Sequence, residues 1–297
     1  MVTSCIFQEQ IEQLFSKQNR ANIVLAELNE DKVFTDRVLQ GVYLLQEYFQ
    51  KEYDEAKDNR LAIVWKQYED LDALKELIET VFVATTQLKD AMPLVSLASM
   101  LSGQIKNLIK PAAIHTMAEI LAVLWRTDMY VLFNRSGQIY LRNIVTLEEE
   151  TQRKVSQLMY LPPMISPPKI VTKNRDNFHY SLKPESLLLG VKDAHHNGDI
   201  SLDVINTLSQ QALRIDTEFY ENNRPVKPEG MEQHDWDIFV NQMDYIYSFI
   251  NSNDIYLPYK ADMRGRVYTQ AYHFDTMGDD FHKSVIDLAT KVIIEVD

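Results

Sequence analysis

A single cysteine, Cys5, stands in the whole chain of 297 residues. No internal disulfide can form, and an isolated thiol of this kind is expected to be inert. No apolar run approaches the ~20 residues that a membrane helix needs, and Met1 to Ile6 is too short and too polar for a secretory signal. The expectation is a cytoplasmic protein with no membrane partner. Internal repeats and low-complexity tracts are lacking as well. Positive charge is scarce: 30 Lys and Arg stand against 43 Asp and Glu, a formal net charge of -13. That balance excludes a general nucleic-acid coat, which would be basic. Any nucleic acid would have to lie in a lined channel and not on the outer surface.

The charge is unevenly spread. Residues 1–90 are rich in acid, for example Glu52, Asp54, Glu55, Asp58, Glu69, Asp70 and Asp72. From Pro167 to Lys192 the balance reverses, with Lys169, Lys173, Arg175, Lys183 and Lys192 against Asp176 and Glu185. A hydrophobic content of 45% and a charged content of 25% are ordinary for a globular protein. The length allows one large domain or two to three modest ones.

Helical periodicity dominates the first half. An amphipathic helix is expected from Cys5 to about Ser16, and a long one over Asp31–Asp58 with an i, i+4 stripe of Val33, Phe34, Val38, Leu39, Val42, Tyr43, Leu45, Tyr48 and Phe49. The pattern continues over Leu61–Leu88 and Met92–Ile109, and Pro111 opens a further helix to Trp125. The period changes at Met129, where Met129–Phe133 and Ile139–Leu141 flank a Gly-containing loop, Asn134–Gln138, and read as a β-hairpin. Thr146 to Glu149 reads as a capping box for a helix ending near Tyr160. Residues 1–158 are therefore expected to form one mainly helical domain with a hairpin near 129–141.

Residues 161–169, L-P-P-M-I-S-P-P-K, cannot form a regular element and read as a stiff connector within 159–200. A short strand is expected at Asn177–Leu182, and a solvated turn at Asp193–Asp199, whose adjacent His195 and His196 make a poor metal pair. Ser201 is expected to cap a helix to about Asn222, and a second runs over Gln233–Ile250, giving a projecting helical hairpin over 201–252. A strand follows at Val267–His273, then a helix from Asp279 or Asp280 through Ala289 and a last strand at Val292–Ile294.

Between these lies I-Y-L-P-Y-K-A-D-M-R-G-R-V-Y, residues 255–268, whose centre is Asp262-Met263-Arg264-Gly265-Arg266. On an extended chain two arginines two apart share a face, each offering a planar fork of donors suited to phosphate. Gly265 lets another backbone come close, and Asp262 can hold one guanidinium without neutralising the pair. The competing reading is that both arginines form ordinary salt bridges with Asp262 and nearby carboxylates.

The run L-P-Y-K-A-D-M-R-G-R-V-Y-T, followed by H-F-D-T-M-G-D-D-F-H-K-S-V-I-D-L-A-T, resembles the single-chain RNA polymerases of bacteriophages and mitochondria. Their Asp/Thr-x-x-Gly-Arg motif falls here on Asp262, Gly265 and Arg266, and Pro258, Tyr259, Arg264, Val267 and Tyr268 match its flanks. The Pro-rich block and the helix I-N-T-L-S-Q-Q-A-L-R-I-D occur in the same order as in that family, so the resemblance covers about residues 159–290. It implies that 201–252 is a reduced thumb and 253–297 the start of a palm sheet. It further implies that Arg266 meets template phosphates, that Tyr268 packs on a sugar or base, and that Lys283 adds a phosphate contact. Lys169 and Lys173 are weaker nucleic-acid candidates.

The family's metal-binding aspartates match no residue of this sequence. Asp254, Asp262, Asp275, Asp279 and Asp280 do not occupy the catalytic positions, so no catalytic or metal-ligating residue is expected here. Because the sequence stops at Asp297, inside the palm, the resemblance is greatest to the small N-terminal subunit of a two-subunit phage DNA-directed RNA polymerase. Its Mg²⁺ would sit on a larger partner subunit, and template DNA and nascent RNA would be the other partners, in the host bacterial cytoplasm. The alternatives are a non-enzymatic helical adaptor that docks a protein, or a truncated fragment of a longer polymerase.

Overall fold

The computed structural model describes residues 2–54, 59–88, 90–189 and 200–290. The expected His195–His196 turn and the Val292–Ile294 strand lie outside those residues. In chain order the elements are α1 (Val2–Leu14), α2 (Lys17–Glu30), α3 (Lys32–Asp54), α4 (Asn59–Gln67), α5 (Leu71–Thr86), β1 (Met92–Pro93), α6 (Leu94–Leu101), α7 (Lys110–Leu124), β2 (Tyr130–Arg135), β3 (Gln138–Asn143) and α8 (Glu149–Gln157). There follow α9 (Leu202–Ser209), β4 (Leu213–Ile215), α10 (Thr217–Asn222), α11 (Gln233–Ile250), β5 (Tyr259–Ala261), β6 (Val267–Thr269), α12 (Asp280–Ser284) and β7 (Ile286–Leu288). The fold is mainly α with small antiparallel sheets, as the sequence led us to expect. No helix among the described residues is long and apolar enough to cross a membrane.

Two compact units divide the chain: residues 21–152, and residues 1–20 together with 153–297. The division differs from the contiguous 1–158 domain read from the sequence, because the first helix packs with the C-terminal part. In the unit of residues 21–152, α3 buries Phe34, Val38, Val42, Leu45 and Phe49, while Val33, Leu39 and Tyr43 of the same expected stripe stay exposed. A Cβ on Gly41 would stand 3.0 Å from Leu124, so the absent side chain lets α3 lie close to α7. The expected Leu61–Leu88 helix breaks into α4 and α5 where Asp70 accepts the Asp72 amide and caps α5.

Strands β1, β3 and β2 form one sheet in that order. The β2–β3 turn is tighter than expected: Ser136 and Gly137 both take positive φ (53° and 78°), the geometry of a two-residue type I′ turn. Asn134 secures it by accepting the Gly137 amide at 3.0 Å. The capping box at Thr146 is not found, since α8 starts at Glu149 and its first intrahelical bond runs from the Gln152 amide to the Glu148 carbonyl.

The other unit corrects several expectations. Pro162, Pro163, Met164, Ser166 and Pro168 are buried, so the segment read as a stiff connector is also part of a core. Met164 exchanges two backbone bonds with Tyr256 (3.0 and 2.7 Å) and packs with Val171, Phe178, Leu187, Ile205 and Ala261. Residues 178–182 form bends, so the strand expected at Asn177–Leu182 is not formed. The expected Ser201–Asn222 helix is interrupted by β4, which pairs with β7, so no two-helix hairpin spans 201–252. The helix at Asp280 ends at Ser284 because Ile286–Leu288 is drawn into that same pairing.

Candidate nucleic-acid interface

An extended run from Ile255 to Ala261 organises the residues around the Asp-Met-Arg-Gly-Arg motif. Ile255 exchanges bonds with Leu213 (2.9 and 2.8 Å), Tyr256 with Met164, and Ala261 with Leu187 and Leu189 (2.9 and 2.7 Å). The buried Ser209 hydroxyl accepts the Tyr259 amide at 3.0 Å. β5 then pairs antiparallel with β6, in the register Tyr259 to Thr269, Lys260 to Tyr268 and Ala261 to Val267. The motif is thus the loop of a β-hairpin whose inner face, Ala261 with Val267 and Tyr259, rests on the apolar cluster around Met164.

The loop closes by two backbone bonds. The Gly265 amide donates to the Asp262 carbonyl at 3.0 Å, and the Asp262 amide donates to the Arg266 carbonyl at 2.8 Å. Gly265 has φ of +80°. A turn followed by a left-handed glycine is the three-residue hairpin loop with a G1 bulge. A Cβ here would meet nothing within 4 Å, so conformation and not crowding demands glycine. Gly265→Ala is expected to cost about 1–2 kcal/mol, measured by urea unfolding, and Gly265→Asn distinctly less, because asparagine tolerates the left-handed region.

Asp262 is the hub of the loop. Its Oδ1 accepts the Arg264 and Arg266 amides at 2.8 and 3.0 Å, and its Oδ2 accepts Arg266 Nε at 2.7 Å and lies 2.6 Å from Nη2. The Tyr268 hydroxyl approaches the same oxygen at 3.3 Å, and its ring centroid lies 5.6 Å from the Arg266 guanidinium carbon. Lost hydration would raise the Asp262 pKa, but the Arg266 side chain and the two amides outweigh it and hold the carboxyl down at about 2.

Extended backbone with both arginines on one face is therefore corrected to a turn in which they differ. Arg266 is tied to Asp262, with Nη1 outside that bond and the side chain 58% exposed. The Arg264 guanidinium has no ion-pair partner among the described residues and is exposed. One full fork and the outer edge of a second face solvent, beside the exposed tip residue Met263. A small pocket of about 90 Å³ lies under the loop, lined by Leu188, Ile200, Ser201, Asp262, Gly265 and Val267 among others.

Compared with protein families and with curated proteins, the sequence matches none.

The remaining sequence candidates are not gathered at this loop by any observed bond. Lys283 is exposed on α12, and no hydrogen bond or ion pair joins it to the hairpin. Lys169 donates to the Tyr180 carbonyl at 3.2 Å and lies 5.0 Å from that ring's centroid. Lys173 sits in a turn held by Asp176, whose carboxylate accepts the Thr172 and Lys173 amides. Lys260 was missed by the sequence reading; it reaches Glu185 at 3.1 Å and pins the hairpin to the 183–189 segment.

Four of the five acidic residues that match no catalytic position have a structural partner: Asp254 with Arg214, Asp262 with Arg266, Asp275 with Thr269, and Asp279 with the His282 amide at the N-cap of α12. Asp280 begins that helix. Among the described residues no group of three or more His, Cys, Asp or Glu is arranged to hold a metal ion.

Proposed function

We propose that this chain is the template-holding subunit of a two-subunit DNA-directed RNA polymerase of the single-chain, bacteriophage type. The observation that carries the reading is a coincidence of motif and shape. The residues that resemble the family's Asp-x-x-Gly-Arg motif form a stiff hairpin loop, and that loop turns an unpaired Arg264 fork and the free edge of Arg266 to solvent. Paired in this way, Arg266 keeps its orientation and still has donors for a phosphate, while Asp262 prevents it from folding away. Contacts of this kind position a nucleic-acid strand without reading its sequence. Tyr268 and Gly265 would flank the strand, and Lys283 would add a point charge along it. The Mg²⁺ used in nucleotidyl transfer is assigned to the larger subunit, because none of the acidic residues here matches a catalytic position.

The deciding experiment is reconstituted transcription with that larger subunit. Arg266→Ala is expected to abolish RNA synthesis while the pair still co-elutes on gel filtration, and the chain alone with Mg²⁺ and nucleotides is expected to make no RNA. Unchanged RNA output from the Arg266→Ala pair would sink the reading. A helical adaptor that docks an unrelated protein is the second reading, favoured by the net charge of -13. It requires that neither arginine affect binding to DNA.

A further inference from the structure

The sheet of the 21–152 unit carries a surface that this function leaves unused. Directly opposed residues of an antiparallel pair share a face, so the register places Pro93, Tyr140 and Phe133 in one row and Met92, Leu141 and Leu132 in the next. The second row faces the core: Leu141 is buried, and Tyr130 of the same face packs on Phe82 at 5.6 Å and bonds the Thr85 hydroxyl at 3.0 Å. The first row faces solvent. There Phe133 and Tyr140 stack with centroids 5.7 Å apart and planes 14° from parallel, and Val131 and Phe133 are each 40% exposed.

Charge on that face has one sign. Arg142 lies opposite Val131, Arg135 lies opposite Gln138, and both arginines are exposed without an ion pair among the described residues. Residues 129–147 contain no Asp or Glu, whereas residues 21–128 hold 17 acidic against 11 basic residues. An acidic unit thus leaves one sheet face free of carboxylates, with a pair of rings at its centre and a guanidinium toward each end. At ~3.3 Å per residue, Val131 to Arg135 spans about 13 Å. That is room for neighbouring bases on the rings with their phosphates at the arginines.

We propose that this sheet face binds single-stranded DNA, stacking bases on Phe133 and Tyr140 and pairing phosphates with Arg135 and Arg142. Exposed rings on a sheet reward unstacked bases of any sequence, which duplex DNA does not offer. A protein partner would need its own acidic, ring-stacking surface, and only a polyanion with flat, apolar faces is complementary to every exposed group here. DNA fits better than RNA because Val131, Phe133 and Pro93 offer nothing to a 2′-hydroxyl, and Tyr140 brings the only hydroxyl of that row.

The surface lies outside the unit that carries the Asp262 hairpin, so the test uses the intact chain alone and is repeated in an Arg264→Ala/Arg266→Ala background. Fluorescence anisotropy with a labelled oligothymidylate of about twelve nucleotides is expected to show salt-dependent binding in both backgrounds. Phe133→Ser should weaken it about tenfold or more, and Phe133→Tyr should restore it. Arg135→Gln with Arg142→Gln should lower the slope of log affinity against log salt by about 1.4. Far-UV circular dichroism checks that each variant folds. The proposal is overturned by no binding at 50 mM salt, by Phe133→Ser binding as tightly as the parent, by tighter binding of the same-length duplex, or by tighter binding of oligouridylate than of oligothymidylate.

Discussion

Glu12→Ala is expected to lower the unfolding free energy by about 3–5 kcal/mol, because it leaves several buried donors without an acceptor. The carboxylate is fully buried on α1. It accepts the Tyr180 amide at 3.1 and 3.0 Å, the Ser181 amide at 2.6 Å, the Ser181 hydroxyl at 2.8 Å and Gln8 Nε2 at 3.1 Å. His179 Nδ1 stands 3.3 Å away, longer than the main-chain bonds, so the amides and hydroxyl contribute most. Gln8 in turn accepts the Ile165 amide at 2.8 Å. One face of a helix thereby satisfies backbone in two segments that have no sheet ladder of their own. Burial would raise the Glu12 pKa, but the His179 ring beside it and the bonds from Ser181 and Tyr180 prevail and bring it to about 2, from an ordinary 4.5. A depressed carboxyl stabilises the fold fully above pH 4.5 and loses that contribution as pH falls towards 2. Urea unfolding at pH 7 should show the Glu12→Ala loss, and Glu12→Gln should fall between the two. A loss under about 1 kcal/mol would mean that solvent reaches the loop donors and takes the carboxylate's place.

That latch explains why the unit boundary was hard to read from the residues. The Cys5–Ser16 periodicity predicts a helix, and α1 is there. Its partner, however, is fixed by Gln8 and Glu12, polar residues that an amphipathic reading assigns to solvent. The burial of the Pro-rich block was likewise not legible. Proline excludes a helix and a ladder, which is correct for residues 161–169, but it does not exclude burial, and Met164 and Pro168 lie in the core. Elements fixed by their own residues were legible: Pro111 at the start of α7, the limits of α11, and the β2–β3 hairpin. Leu213–Ile215 was not, because its apolar spacing continues the α9 period and only pairing with Ile286–Leu288, more than seventy residues later, makes it a strand.

The hairpin loop was half legible. Asp262 holding one arginine follows from the residue types, and the structure has that bond. The turn itself was missed, although Asp followed by Gly three residues later is a turn signal. The consequence is chemical: on a strand Arg264 and Arg266 would be equivalent, whereas the loop makes one a tethered and the other a free cation. The ribbon of Phe133, Tyr140, Arg135 and Arg142 had a plain signal, the acid-free run from Met129 to Leu147 in an acidic half-chain.

His273→Phe is expected to make the protein resistant to mild acid. The imidazole is 1% exposed and lies among Phe239, Tyr272 and Tyr160, at centroid distances of 4.8, 4.9 and 5.5 Å. Neither ring nitrogen has a hydrogen-bond partner among the described residues. Burial, with a smaller push from His282, lowers its pKa from 6.5 to about 3. The folded state therefore keeps this ring neutral while the unfolded chain takes up a proton. Stability is whole above pH 6.5 and falls as the pH drops through the window down to about 3, by at most about 5 kcal/mol. That is a large part of the 5–15 kcal/mol typical of a whole fold. The His273 window opens two units above that of Glu12, from 6.5 as against 4.5, so the interval between those values isolates the histidine. Urea midpoints at pH 7, 5.5 and 4.5 should decline for the parent and stay level for His273→Phe. At pH 7 the variant should be as stable or about 1–2 kcal/mol more so, since a ring of similar shape replaces two unpaired polar atoms. Equal declines in both proteins would show that the ring is already protonated in the fold, with a partner that the packing of Tyr160, Phe239 and Tyr272 does not provide.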